Sequence, residues 1–227
     1  MNEDKFFIDT AIFLSYSHSF ETYHTHTLDF FRLNPYLVTS ERVISEIIHL
    51  RKRRDRLYKN LLKFLSLIKM TEKSVKAADE LYQQYICLFP VDNPNDKIHM
   101  PLLFKEICDR VGTTTGDIKT TFITNARGAI NLILKRIDES MEGIKERSPS
   151  KNDPTLVSIL CSIITSENDA LIVSDGAYWA NESGGNSKKF VTSDVEHILK
   201  NQEQIIKELI KYFGRDTPLE FIHIKDT

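Results

Sequence analysis

Lys5-Phe6-Phe7-Ile8-Asp9-Thr10-Ala11 decides the fold class of this chain. A short apolar run that ends in an acid reads as a buried strand stopped by a turn or a helix cap. Lys5–Ile8 therefore predicts a strand that Asp9 ends, and Thr10–Ser15 the start of a helix or turn.

The same pattern recurs outward from it. Tyr36–Thr39 reads as a second short strand, directly after Pro35. Ser40 is a natural N-cap, and Val43, Ile44, Ile47, Ile48 and Leu50 then recur at helical spacing. Leu57, Leu61, Leu65 and Ile68 continue the period, which predicts one long helix or two joined ones reaching about Met70. Near the other end, Lys189–Thr192 reads as a strand, Asp194 leads an amphipathic helix through Ile198, Ile205, Leu209 and Phe213, and Phe221–Ile224 is a final short strand. Strands alternating with helices point to a parallel sheet covered by helices. The expected class is α/β, a three-layer core on a parallel sheet, with residues 1–227 as one domain and 51–150 as a mainly helical insertion or cap.

Between these ends the pattern is helical. Lys73–Cys87, Leu102–Val111 and Phe122–Ile144 predict helices. The proline- and Asn/Asp-rich stretch 90–101 predicts a loop and an internal boundary, and 148–154 a second loop. Leu156–Ile164 is apolar and helical by length. Asp169 caps or begins a helix in which Ala170, Val173, Ala177 and Ala180 share a face. Residues 16–28 show no clear period, and the glycines at 112–116 and 182–187 mark turns.

Composition excludes several classes. The chain has 227 residues, 41% hydrophobic and 27% charged, with a formal net charge of −2, so no global positive field marks it as a nucleic-acid binder. Cys87, Cys108 and Cys161 form no CxxC pair and read as buried free thiols in a reducing compartment. The acidic start lacks the basic and apolar regions of a signal peptide, and Leu156–Ile164 is too short to cross a bilayer. A cytoplasmic protein without a membrane partner is the expectation.

Four acids lie where a strand or its neighbouring helix should end: Asp9, Glu46, Asp169 and Asp194. In open parallel sheets, sites form outside the carboxyl ends of the strands. Clustered carboxylates repel one another and favour a cation, and hard oxygen donors suit Mg²⁺ or Mn²⁺. Asp175 lies close enough to Asp169 in sequence to serve in its place, and Glu41 lies near Glu46.

These motifs resemble the PIN-domain family of metal-dependent nucleases. The residues that carry the resemblance are Ile8-Asp9-Thr10, Ser45-Glu46, Asn168-Asp169-Ala170 and Val191-Thr192-Ser193-Asp194. It covers about 1–50 and 155–200 and leaves the helical middle aside. It implies cleavage of single-stranded or structured RNA with one or two Mg²⁺ or Mn²⁺ ions. Asp9, Glu46 and Asp194 would hold metal, Asp169 a second ion or a water, and Thr10 and Thr192 would steady the carboxylates. A homodimer and an inhibitory protein partner are both compatible with it. A catalytically inactive PIN-like scaffold in an RNA-processing or toxin–antitoxin assembly is the competing expectation. A haloacid-dehalogenase-type phosphatase ranks lower, because Ala11 stands where a D-x-D motif needs its second acid.

Other features have ordinary explanations as well as functional ones. Arg51, Lys52, Arg53, Arg54 and Arg56 could hold a nucleic-acid backbone or form a solvated helix face. His24-x-His26 would face one side of a strand but has no third ligand nearby. Tyr178 and Trp179 could stack on a base but more often form helix core at that spacing.

Overall fold

The computed structural model describes residues 5–69, 78–111, 117–183, 188–214 and 219–227. Its contacts divide the chain into two units, 1–49 with 136–227, and 50–135.

The first unit holds a five-stranded, all-parallel sheet in the order β3-β2-β1-β4-β5. The strands are β1 (Lys5–Ile8), β2 (Leu37–Ser40), β3 (Ile144–Ser148), β4 (Lys188–Thr192) and β5 (Leu219–His223). Helices α1 (Thr10–Ser17) and α2 (His24–Leu33) join β1 to β2, and α3 (Glu41–Leu67) follows β2. The other helices are α4 (Ala78–Leu88), α5 (Pro94–Val111), α6 (Ile118–Glu142), α7 (Pro154–Cys161), α8 (Glu167–Glu182) and α9 (Gln202–Phe213).

Adjacent phenylalanines on β1 show why this unit has three layers. Successive strand residues point to opposite faces. Phe6 meets Phe30 of α2 edge-on at 5.3 Å. Phe7 packs against Trp179 of α8 at 5.7 Å and stacks on Phe190 of β4 at 5.4 Å. Helix α8 lies so close that a Cβ on Gly176 would stand 2.8 Å from the Phe190 ring. The glycine in mid-helix is therefore a packing requirement. Ala170, Val173, Ala177 and Ala180 are all buried, the face their spacing predicts.

The second unit is helical and built around aromatic side chains. Phe64, Tyr85 and Phe104 are buried and meet one another at 5.5–6.2 Å. A polar group is buried with them: Arg53 donates to Asp96 at 2.6 Å, Arg54 lies 3.7 Å from the same carboxylate, and Tyr58 pairs with His99 at 2.8 Å.

Several elements differ from expectation. Residues 94–101 are helix, not loop. Asn93 caps α5 by accepting from the Asn95 amide at 3.0 Å, and Pro94 sits at the helix start, where its missing N–H costs nothing. Helix α6 ends at Glu142, and Ile144–Ser148 is an edge strand; its alternating charges, apt for an edge, hide it in the sequence. Helix α2 buries only Thr27 and Phe30, too few for a visible period. Between Asp194 and α9 the chain makes turns and a short 3-10 segment, Leu199–Asn201, before the helix starts at Gln202. Of the cysteines only Cys108 is buried; Cys87 and Cys161 are exposed. The turns expected at 112–116 and around Gly184-Gly185, and the beginning of the helix expected from Lys73, lie outside the described residues. Among the described residues no helix is long and apolar enough to cross a membrane.

Candidate metal centre

The sheet order reverses beside β1: the chain goes first to β2 and β3 on one side, then to β4 and β5 on the other. Such a switch point leaves a crevice at the carboxyl ends of the strands. Asp9 follows β1 there and Thr192 ends β4 beside it.

Asp9 has two local roles. One carboxylate oxygen caps α1, accepting from the Ile12 amide at 3.2 Å. The other accepts from the Thr192 hydroxyl. The Thr192 Oγ in turn accepts from the Asp194 amide at 2.9 Å, so one hydroxyl sets the position of both acids. Thr10, next to Asp9, donates to Glu46 at 2.5 Å, which ties the first turns of α3 to the start of α1. The Thr39 hydroxyl donates to the Ile8 carbonyl at 2.7 Å and fixes the end of β2 against that of β1.

Asp169 enters from the first turn of α8, where Ser166 is the N-cap and accepts from the Asp169 amide at 3.3 Å. Asp194 enters from the turn after β4. Its two oxygens hold His197, one on the backbone amide at 2.9 Å and one on Nδ1 at 3.0 Å. One oxygen each from Asp169 and Asp194 and one ring nitrogen of His197 lie within 4.8 Å of one another. Cis and trans ligands around an octahedral ion of this size stand roughly 3–4 Å apart, so a slight closure of these side chains would surround a cation.

The electrostatics match that reading. Asp9 is 5% exposed, and among the described residues no cation pairs with it. Burial pushes its carboxyl up to about 7; the charges of Asp169 and Asp194 add to this, and the hydrogen bonds from Thr192 and Ile12 oppose it. Asp169 is also raised, first by burial and then by Asp194, against the pull of Ser166 and His197. His197 is raised by its hydrogen bond to Asp194 and by that residue's charge.

The structure thus brings Asp169 and Asp194 within ligand distance of each other; Asp9 and Glu46, expected as ligands too, stand outside that group, Asp9 tied to Asp194 through Thr192 and Glu46 bonded to Thr10. It adds His197, which the sequence reading missed. The signal was present: Asp194-Val195-Glu196-His197 spaces an acid and an imidazole three residues apart, as one turn of chain requires.

Other candidates are occupied elsewhere. Asp175 is fully buried and not part of the group; it accepts from Arg42 Nε at 3.2 Å and from the Lys151 amide at 2.7 Å. Arg53 and Arg54 serve the buried Asp96, which needs cations to offset the cost of its desolvation. Lys52 and Arg56 remain exposed, and Arg51 is half-buried. His24 lies on a helix, not a strand. Its Nδ1 bonds the Ser15 carbonyl at 2.8 Å and its Nε2 faces Arg136 at 3.1 Å. Nε2 must then be the acceptor, so the ring is neutral and both nitrogens are used. Trp179 is 2% exposed with its indole N–H on Glu146 at 3.2 Å, and Tyr178 donates to Asp153, so neither is presented for stacking.

No protein-family model, curated protein or solved structure matches the chain.

Proposed function

We propose that this chain is a divalent-metal-dependent endonuclease acting on RNA. The observation that carries the proposal is the grouping of Asp169, Asp194 and His197 within 4.8 Å of one another, with Asp9 tied to Asp194 through Thr192 at the switch point of a parallel sheet. The resemblance of the Asp9, Glu46, Asp169 and Asp194 motifs to PIN-domain nucleases supports the RNA substrate.

The donor set fits Mg²⁺ or Mn²⁺, for which Asp169 and Asp194 supply hard oxygens. A bound ion would supply charge neutralisation at the scissile phosphate and a more acidic water. Asp9, buried beside Asp169 and Asp194, would add its negative charge to the field that holds the ion. Thr192 holds Asp9 and Asp194 in register, and Thr10 ties Glu46 to the start of α1.

The test is cleavage of an end-labelled single-stranded RNA with Mn²⁺, with Mg²⁺ and with EDTA, by the wild type and by Asp9→Asn and Asp194→Asn. Cleavage that needs metal and falls by at least about a hundredfold in both variants supports the reading. An inert protein that neither binds Mn²⁺ nor cleaves RNA would overturn it in favour of a scaffold.

A further inference from the structure

We propose that His197 is a direct ligand of the bound ion, and that its imidazole makes the centre select Mn²⁺ over Mg²⁺. This rests on the metal-dependent reading above and specifies which ion serves it. Three observations lead to it. A ring nitrogen of His197 lies within 4.8 Å of the chosen oxygens of both Asp169 and Asp194. The ring is held over the site by the turn it shares with Asp194, through the 2.9 Å backbone bond to one oxygen and the 3.0 Å contact to the other. Nearby, the 5%-exposed Asp9 carboxylate has hydrogen-bond donors but, among the described residues, no cationic side chain to offset its charge.

The choice of ion follows from donor chemistry. Mg²⁺ is hard, strongly hydrated and bound chiefly by oxygens, and it gains little by exchanging a water for an imidazole. Mn²⁺ prefers the same carboxylates but, as the first and weakest member of the transition-metal series, still takes a nitrogen donor more readily than Mg²⁺ does. Two carboxylates and one imidazole therefore form a mixed set that favours Mn²⁺. The Asp194-x-x-His197 spacing makes the pair a chelate within one turn, so binding orders little additional chain.

The experiment is Mn²⁺ and Mg²⁺ titration by calorimetry on the full chain, with pulsed EPR of the Mn²⁺ complex, for wild type, His197→Gln and the neighbouring exposed Glu196→Gln. The wild type should bind Mn²⁺ at least about tenfold more tightly than Mg²⁺ and show ¹⁴N modulation from a coordinated ring nitrogen. His197→Gln should lose that modulation and at least about tenfold in Mn²⁺ affinity, with Mg²⁺ affinity nearly unchanged. Glu196→Gln should match the wild type. Mn²⁺ binding without ¹⁴N modulation, or a His197→Gln variant with unaltered metal preference, overturns this inference and leaves the nuclease reading standing. No Mn²⁺ binding by the wild type overturns both.

Discussion

Asp9→Asn should stabilise the metal-free protein at alkaline pH and leave it almost unchanged at acid pH. The wild-type carboxyl is raised from 3.8 to about 7, mainly by burial. A raised acid holds its proton in the native state while the unfolded chain has lost it. The native state is thus favoured below the unfolded value, and that stability disappears as pH rises through the folded value. At about 1.36 kcal/mol per pH unit the whole effect is roughly 4 kcal/mol, of which about 3 kcal/mol is lost between pH 5 and pH 8. Asparagine does not titrate. Its carbonyl can still accept from the Ile12 amide, and asparagine caps helices about as well as aspartate. The stability gap between variant and wild type should therefore move by about 3 kcal/mol in favour of the variant between these pH values.

Trp179 provides the assay. It is the one tryptophan in the chain and packs on Phe7 of β1, so its fluorescence reports the sheet-bearing unit. Urea unfolding in EDTA at pH 5 and pH 8, for both proteins, gives the two gaps directly. Saturating Mn²⁺ at pH 8 should narrow the gap by stabilising the wild type more than the variant. Equal gaps at the two pH values would refute the reasoning, because they would mean that Asp9 does not ionise against a burial cost.

Two predictions concern the frame around the site. Asp175→Ala should destabilise the sheet-bearing unit by roughly 2–3 kcal/mol, since it removes the buried acceptor of the Arg42 Nε and the Lys151 amide while Arg42 keeps Asn152; Trp179 fluorescence in urea measures it, and a loss below about 0.5 kcal/mol would count against the tie. Gly176→Ala should cost about 1–3 kcal/mol by the same assay, because the new methyl would meet the Phe190 ring at 2.8 Å and the ring has packed neighbours on its other side. An unchanged midpoint would show that α8 can retreat from the sheet.

Much of the frame was legible in the sequence because local signals and burial agree there. Phe6-Phe7-Ile8, Val38-Thr39 and Phe190-Val191 are short apolar runs that end in turn or cap residues, and all three became central strands. Ile144–Ser148 was missed because an edge strand needs little apolar surface, and its Lys145, Glu146 and Arg147 look like loop. Asn93-Pro94 was read as a break because proline stops helices, yet at the first helical position it starts one. The acids of the site were legible because each also caps or flanks an element. The histidine was not, since neither strand nor helix periodicity draws attention to an exposed turn residue. The fate of Arg53 and Arg54 was hidden because their partner, Asp96, lies far along the chain and only folding brings it near.

Asp9 also bears on whether the cluster has a purpose beyond folding. As a cap, asparagine would hold the Ile12 amide about as well and would carry no charge into the core. As a partner of Thr192 the ionised form is favoured, but burial outweighs that preference. The acid is thus the worse choice for the fold alone at neutral pH, and the neighbouring charges of Asp169 and Asp194 increase its disadvantage. A divalent cation reverses the balance, because it turns mutual repulsion among the three carboxylates into shared attraction. A residue that weakens the empty protein and strengthens the loaded one has the thermodynamic signature of a binding group. The paired outcome to seek is therefore an Asp9→Asn protein that is more stable at pH 8 without metal, gains less from Mn²⁺ than the wild type, and no longer cleaves RNA.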